Sequence, residues 1–350
     1  MAQTTPGSSA ARPTCVGGLY EVCIGVPDLA ESLAYFERFG CRAGRFGTLD
    51  AKSAQALYGV DSRLRSLRLH HLDADHGLVR LMHWEQPRNE GLGLDPDLRC
   101  AGSRWGVRLT ASVLNIANHA ARARELGDPI QLIDPILAII GEITGCAIGQ
   151  PFHEPIVGVR EMVVIQPLYR QVFFERFGYQ SPLYGRIDES CLMRTSQHTH
   201  AGMMIMSDDH QLLQFYDEVL GLKRWFDAER PYEQAAGSRR IFGLEPGETH
   251  WVVDFDDPRS GHSLEERRSG KLKVVRFAKS SRLVDKLEQS RPGSLGCSLY
   301  TWRVSDVDAM WKRVCGSGAT GLTDVLPDEF GTRSFSFVAP DGYSWTLLQA

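Results

Sequence analysis

The sequence predicts an α+β protein assembled from small repeated units, each a strand, then a helix, then a meander of strands. Three observations carry that expectation. Short runs rich in β-branched and aromatic residues alternate with segments whose apolar residues recur at helical spacing. The helix-like segments open on Asp or Asn and stop at Gly. The same order returns four times along the 350 residues, at a period of roughly 60–90 residues, the mark of a repeated supersecondary unit.

The first unit starts at Gly18, and Leu19–Val26 reads as a strand ended by Pro27-Asp28. Asp28 is placed to cap a helix over 29–39, whose Leu29, Leu33, Phe36 and Phe39 share one face, and Gly40 stops it. Strands follow at 66–71 and 78–84. In the second unit 107–113 reads as a strand, 115–126 as a helix ending at Gly127, and 159–165 as the closing strand. In the third, 201–206 is a strand, Asp208 precedes a helix over 210–220 stopped by Gly221, and 241–244, 251–255 and 272–277 are strands. In the fourth, 298–304 is a strand and Asp306 opens a helix towards Val314. Strands 334–338 and 344–348 close it, joined by the turn Pro340-Asp341-Gly342. The run Phe36-Glu37-Arg38-Phe39-Gly40 recurs as Phe174-Glu175-Arg176-Phe177-Gly178, read as a linker helix or a half-unit between units two and three.

Composition narrows the function classes. With 43% hydrophobic and 23% charged residues and a formal charge of −4, the chain is ordinary globular protein, long enough for two compact domains. It has no basic stripe, so nucleic acid is not an expected partner. No apolar run reaches the roughly 18 residues of a membrane span. Residues 1–15 read as a disordered tail without the apolar core of a signal peptide, which places the protein in the cytoplasm. The eight cysteines show no CxxC spacing and read as buried thiols. There is no GxSxG and no GxxxxGK[ST], and the GxGxxG match at 316–321 follows a helix, so hydrolase, NTPase and dinucleotide chemistry are disfavoured.

Two motifs point to a family. Met206-Ser207-Asp208 with Phe215-Tyr216-Asp217-Glu218-Val219-Leu220-Gly221 resembles the first strand and helix of a glyoxalase or extradiol-dioxygenase unit. Ala339-Pro340-Asp341-Gly342-Tyr343 resembles the last hairpin of one, and Val26-Pro27-Asp28-Leu29 repeats the first motif. The chain thus resembles the vicinal oxygen chelate superfamily (glyoxalases, bleomycin-resistance proteins, extradiol dioxygenases) in a four-unit form. The resemblance implies βαβββ units paired into two half-open barrels, one from residues 16–167, one from 198–350, with 168–197 as linker. It also implies a divalent metal, Fe or Mn, bound by a first-strand His of each unit and a last-strand Glu, with positions left open for a vicinal diol or enediolate.

The implied metal positions fall on Glu21, Arg108, Ala201 and Leu299 for the first strands. For the closing strands they fall near Arg80 or Met82, Glu161 or Val163, Val275 or Arg276, and on Thr346. Ala201, Leu299 and Thr346 cannot bind iron, so the triad expected in the C-terminal half is missing. One replacement is a metal site of His198, His200 and His250, with Glu248 or Asp254 adding oxygen. His198 and His200 alternate on one strand face, although strand parity turns His200 away from the face of Ala201 unless a one-residue bulge intervenes. The other replacement is a set of inward charges, Glu21, Arg80, Arg108 and Glu161. These either close into salt bridges or form an anion pocket in which the arginines clamp a carboxylate and Glu21 acts as base. His83, Trp105 and Tyr300 are candidate substrate contacts, with packing as their alternative role.

The functional expectation is an enzyme of lyase or isomerase type, acting on a small oxygenated substrate, aromatic or a keto acid, without a cofactor. The alternatives are a ring-cleaving dioxygenase with a relocated metal, or a non-catalytic small-molecule binder of the resistance type. A homodimer is the assembly this leaves open.

Overall fold

A computed structural model describes residues 14–94, 98–139, 156–281 and 283–350. The tail expected over 1–15 lies outside them up to residue 13. Cys15 is buried and bridges to Val304, so it does not belong to a disordered tail.

Unit one is β1 (Glu21–Gly25), α1 (Leu29–Glu37), β2 (Cys41–Leu49), α2 (Ala51–Tyr58), β3 (Leu64–His71) and β4 (Leu78–Trp84). A short strand, β5 (Cys100–Ala101), leads to unit two: β6 (Arg104–Thr110), α3 (Val113–Glu125), β7 (Gln131–Ile139), β8 (Gly158–Ile165) and β9 (Arg170–Phe177). Unit three is β10 (Thr195–Met206), β11 (Lys223–Pro231), α4 (Ala236–Ile241), β12 (Thr249–Asp256) and β13 (Lys271–Phe277). The short β14 (Val284–Asp285) pairs with β5. Unit four is β15 (Gly296–Val304), α5 (Val307–Cys315), β16 (Leu326–Pro327), β17 (Arg333–Val338) and β18 (Ser344–Gln349).

The helix starts are set by side-chain caps. Asp28 accepts from the Glu31 N–H at 2.8 Å, and Asp306 from the Ala309 N–H at 2.9 Å. Each satisfies an amide that the first helical turn leaves without a partner. Asp306→Ala is therefore expected to lower stability by about 1 kcal/mol, read as a shifted urea midpoint with an unchanged slope. The third unit departs from expectation. Asp208 accepts from the Lys279 N–H at 2.9 Å and caps no helix. The stretch expected to be helical is a 3₁₀ turn, Gln211–Leu213, followed by a π turn, Phe215–Val219.

The repeated pentapeptide takes two structures. Phe36 and Glu37 end α1, whereas Phe174–Phe177 belong to β9, paired on both sides by β6 and β8. The expected linker over 168–197 therefore contains the closing strand of unit two. Neighbouring strands decide the local conformation here; the pentapeptide itself does not.

Two eight-stranded sheets result, ordered β16-β17-β18-β15-β1-β4-β3-β2 and β11-β12-β13-β10-β6-β9-β8-β7. Each is curled into a half-barrel. The units do not pair in chain order: unit one joins unit four through antiparallel β1 and β15, and unit two joins unit three through β6 and β10. This corrects the expected division into residues 16–167 and 198–350.

The convex faces of both sheets share one apolar core. It contains Val22, Ile24 and Trp302 of the first sheet, Ala201, Met203 and Val274 of the second, and Phe36, Tyr216 and Met310 from the connecting segments. Two tyrosines of unit four reach across it. Tyr300 donates to the carbonyl of Gly202 at 2.7 Å, and the Tyr343 hydroxyl accepts from the Gly102 N–H at 2.8 Å. The concave faces differ: one is filled and the other is hollow.

Candidate active site

In the first half-barrel, α2 and the turn between β16 and β17 close the concave face. Leu57, Tyr58, Met82, Trp84 and Leu299 form an apolar layer there. Beneath it lies a closed ionic network. Glu21 on β1 is fully buried and accepts from Arg68 Nε at 2.5 Å, from Thr301 Oγ1 at 2.8 Å and from Arg80. Arg80 also donates to Glu329 and to the Tyr58 hydroxyl, each at 3.1 Å. The Tyr58 hydroxyl donates to the other oxygen of Glu329 at 2.8 Å. Burial alone would raise the Glu21 carboxyl, but the guanidinium groups of Arg80 and Arg68 more than offset it and hold it at about 2. Glu21 is thus an ion locked between two cations, a poor proton acceptor. Of the two roles open for these charges, Glu21 and Arg80 take the salt-bridge one, while Arg108 and Glu161 lie outside that network.

The second half-barrel encloses a cavity of about 440 Å³. That lies within the usual range of small-molecule sites, ~300–1,000 Å³. Part of its wall is apolar and aromatic: Trp105 and Val107 from β6, Phe174 from β9, Phe226 from β11, Phe242 beyond α4 and Val275 from β13. Gly202 makes the Trp105 wall fit, since a Cβ there would lie 2.1 Å from the indole. Four ionisable side chains line the same space: Glu161 from β8, His200 from β10, Asp254 from β12 and Lys273 from β13. Arg230, Gln234 and Ser238 join them on the side of β11 and α4.

These groups differ in how far they are engaged. Asp254 accepts from Lys271 at 3.1 Å. Burial pushes its carboxyl up, but Lys271 and Lys273 together leave it below the ordinary value. His200 is held at Nδ1 by Thr199 Oγ1 at 3.2 Å and the Tyr184 hydroxyl at 3.4 Å. Burial, then the positive Lys271 and Lys273, keep its imidazole neutral, well below the ordinary range. Glu161 has no hydrogen bond or ion pair among the described residues. Burial raises its carboxyl, and Lys273 offsets part of that rise. A carboxylate with a raised value and no competing partner is the usual form of a general base.

The structure separates residues that the sequence grouped. Arg108 lies in the other sheet from Glu21 and Arg80, and on the convex side of β6. It donates to the Ser196 carbonyl at 2.8 Å and packs near Phe36 and Phe39. His198 and His200 fall on opposite faces, because the β10–β6 register shifts between them. His200 lines the cavity, while His198 sits over Gly106, where a Cβ would meet its Nε2 at 2.4 Å. His250 is buried between Phe277 and Phe242. The expected metal trio is therefore not brought together. Among the described residues no three His, Cys, Asp or Glu side chains converge to hold an ion. The donor set does not fit a divalent metal either, since Lys273 shares the cavity and Asp254 is already engaged by Lys271.

Of the substrate contacts, Trp105 lines the cavity and Tyr300 does not, its hydroxyl being taken by backbone carbonyls. His83 lies on β4 of the first sheet, half-buried and away from the cavity. Lys273 and Arg230 escape the sequence reading. The signal is present in Lys271-Leu272-Lys273-Val274-Val275, where two charges at period two mark one face of an otherwise apolar strand. Of the closing-strand positions implied at Val275 or Arg276, Val275 lines the cavity, two residues beyond Lys273 on the same face.

No protein-family model matches the sequence, and no curated protein matches it significantly. Solved structures do match its fold. A single-site variant of glyoxalase I from Zea mays superimposes with a TM-score of 0.50 at 13% identity, over 95% of this chain and 92% of that one. A dioxygenase-like protein from Bacillus subtilis gives a TM-score of 0.51 at 12% identity, over 96% and 86% of the two chains. Among the described residues no helix is long and apolar enough to cross a membrane. Two curled sheets of paired βαβββ units, together with these neighbours, give the chain the vicinal oxygen chelate fold.

Proposed function

We propose that the second half-barrel is the active site of a lyase or isomerase that moves a proton beside a carbonyl group without a metal. The observation that supports this reading is a single apolar-walled cavity holding an unengaged carboxylate, Glu161, together with an ammonium, Lys273. Glu161 takes the proton from the carbon next to the carbonyl. The electron pair moves onto the carbonyl oxygen, and Lys273 stabilises the resulting enolate as a fixed positive charge. The proton on Glu161 exchanges with solvent, and a solvent-derived proton then returns to the same carbon, or is given by His200 to the other enolate face or a conjugated carbon, giving an isomer; alternatively a leaving group departs with its electron pair from the next carbon, giving an alkene. His200, neutral and fixed through Nδ1, is placed to pass a proton to the substrate through Nε2. The aromatic walls select a substrate with an apolar body.

The test is solvent exchange. Chelator-treated protein in D₂O is mixed with phenylpyruvate and 4-methyl-2-oxopentanoate, and loss of the C3 proton signal is followed by NMR. Exchange faster than buffer and indifferent to chelator is expected. Exchange with neither acid, or exchange only after iron or manganese is added, would remove the metal-free reading in favour of a binder or a dioxygenase with a relocated metal.

A further inference from the structure

Resting on that reading, the charge balance of the cavity points to the class of substrate. Two cations line it without an ion-pair partner among the described residues. Lys273 projects from β13, and Arg230 from the edge strand β11. Three other partly buried cations have carboxylate partners: Lys271 with Asp254 at 3.1 Å, Arg224 with Asp217 at 2.6 Å, and Arg99 with Glu248 at 2.5 Å. Buried Arg104, Arg108 and Arg276 are instead held by backbone carbonyls. Lys273 and Arg230 have neither kind of partner among the described residues.

Counting the groups sharpens this. Asp254 and its neighbour Asp256 are matched by Lys271, 3.1 Å and 3.6 Å away, and by Arg267, 4.0 Å from Asp256. His200 is neutral. What remains on the lining is Lys273 and Arg230 against Glu161. Even with Glu161 ionised, one positive charge is in excess. A cation that lines a cavity without a carboxylate or hydrogen-bond partner is free to pair with an anionic ligand.

Arg230 has the geometry to supply the contact. Its guanidinium carbon lies over the Phe226 ring, 5.0 Å from the centre, so the aromatic face supports the guanidinium. Its N–H edge is then free to meet a carboxylate as a two-pronged donor. Lys273 lies deeper, on a strand beside β10, where it serves the reacting oxygen.

We propose that the cavity takes small carboxylic acids with an apolar, preferably aromatic, body, and that Arg230 holds the carboxylate. Arg230 is the specificity-determining residue, and a neutral analogue of the same shape is a poor ligand.

Titration calorimetry with 3-phenylpropanoate and with 3-phenylpropanamide tests this. The intact chain is expected to bind the acid at least about 10-fold more tightly than the amide, the usual discrimination of a charge-assisted pair. Arg230→Met is expected to remove that preference while leaving the weak amide binding unchanged, and Arg230→Lys to restore part of it. Circular dichroism melting confirms that the variants fold; Arg230 is half-exposed on an edge strand, so they are expected to. Equal binding of acid and amide, absence of acid binding at millimolar concentration, or an undiminished preference in Arg230→Met would each overturn the proposal. Failure here is separable from failure of the catalytic reading. Proton exchange with no acid preference leaves an enzyme whose substrates are neutral, and acid preference with no exchange leaves a carboxylate-binding protein.

Discussion

Arg80→Met is expected to destabilise the protein by about 3–5 kcal/mol, the largest stability effect of any single substitution considered. Breaking a buried ionic network by removing one partner leaves uncompensated charge in a low-dielectric interior. Here the loss is compounded. Arg80 touches both Glu21 and Glu329, with Asp328 3.7 Å away, so one substitution leaves Glu21 with Arg68 alone and removes the ion-pair partner of Glu329 and Asp328. Equilibrium unfolding in urea is the measurement. A loss below about 1 kcal/mol, the size of an exposed pair, would show that the network is a minor contributor. The same contacts set a pH dependence. Glu21 is held at about 2, below its ordinary 4.5. Its stabilising contribution is complete above the ordinary value and is lost as pH falls towards about 2.

The second large effect is on chemistry. Glu161→Gln is expected to slow proton exchange by about 10²–10⁴-fold, the contribution of a positioned general base, while leaving the fold intact. The amide keeps the shape and cannot take the proton. In the wild-type protein the rate should rise with pH through the raised Glu161 value, because only the ionised form is a base. The variant should lack that limb. A variant with wild-type rates would transfer the role of base to His200 or Asp254. By contrast, Glu21→Gln should alter exchange only as far as it alters the folded fraction.

The sequence made the fold legible through its punctuation. Asp28 and Asp306 capped the helices as expected, and Gly40 and Gly127 ended them, because caps and left-handed stops are local chemistry. Pairing between units was not legible. Which unit lies beside β1 is decided by contacts such as Glu21 with Thr301, 280 positions apart, and no local pattern encodes that distance. The site was legible in part. Glu161, Trp105 and His200 all line the cavity. Arg108 and His198 do not, because a strand register has to be known to the single residue before a side chain can be assigned to a face. The shift in β10 that parts His198 from His200 is a property of its partner strand as much as of its own residues.

The nested order of the sheets also carries a timetable. A chain emerging from the ribosome at roughly 5–20 residues per second completes the inner half-barrel, which holds the cavity, as soon as β13 is out. The outer one cannot close until unit four arrives. Glu21 therefore waits on the order of 15–55 s for its Thr301 contact, given that rate and the 280 positions between them. During that interval β1 is an unpaired edge carrying half of a future ionic lock, a surface to which chaperones or a second nascent chain have access. The half-barrel with the cavity is finished first, and the one with the ionic network is finished last.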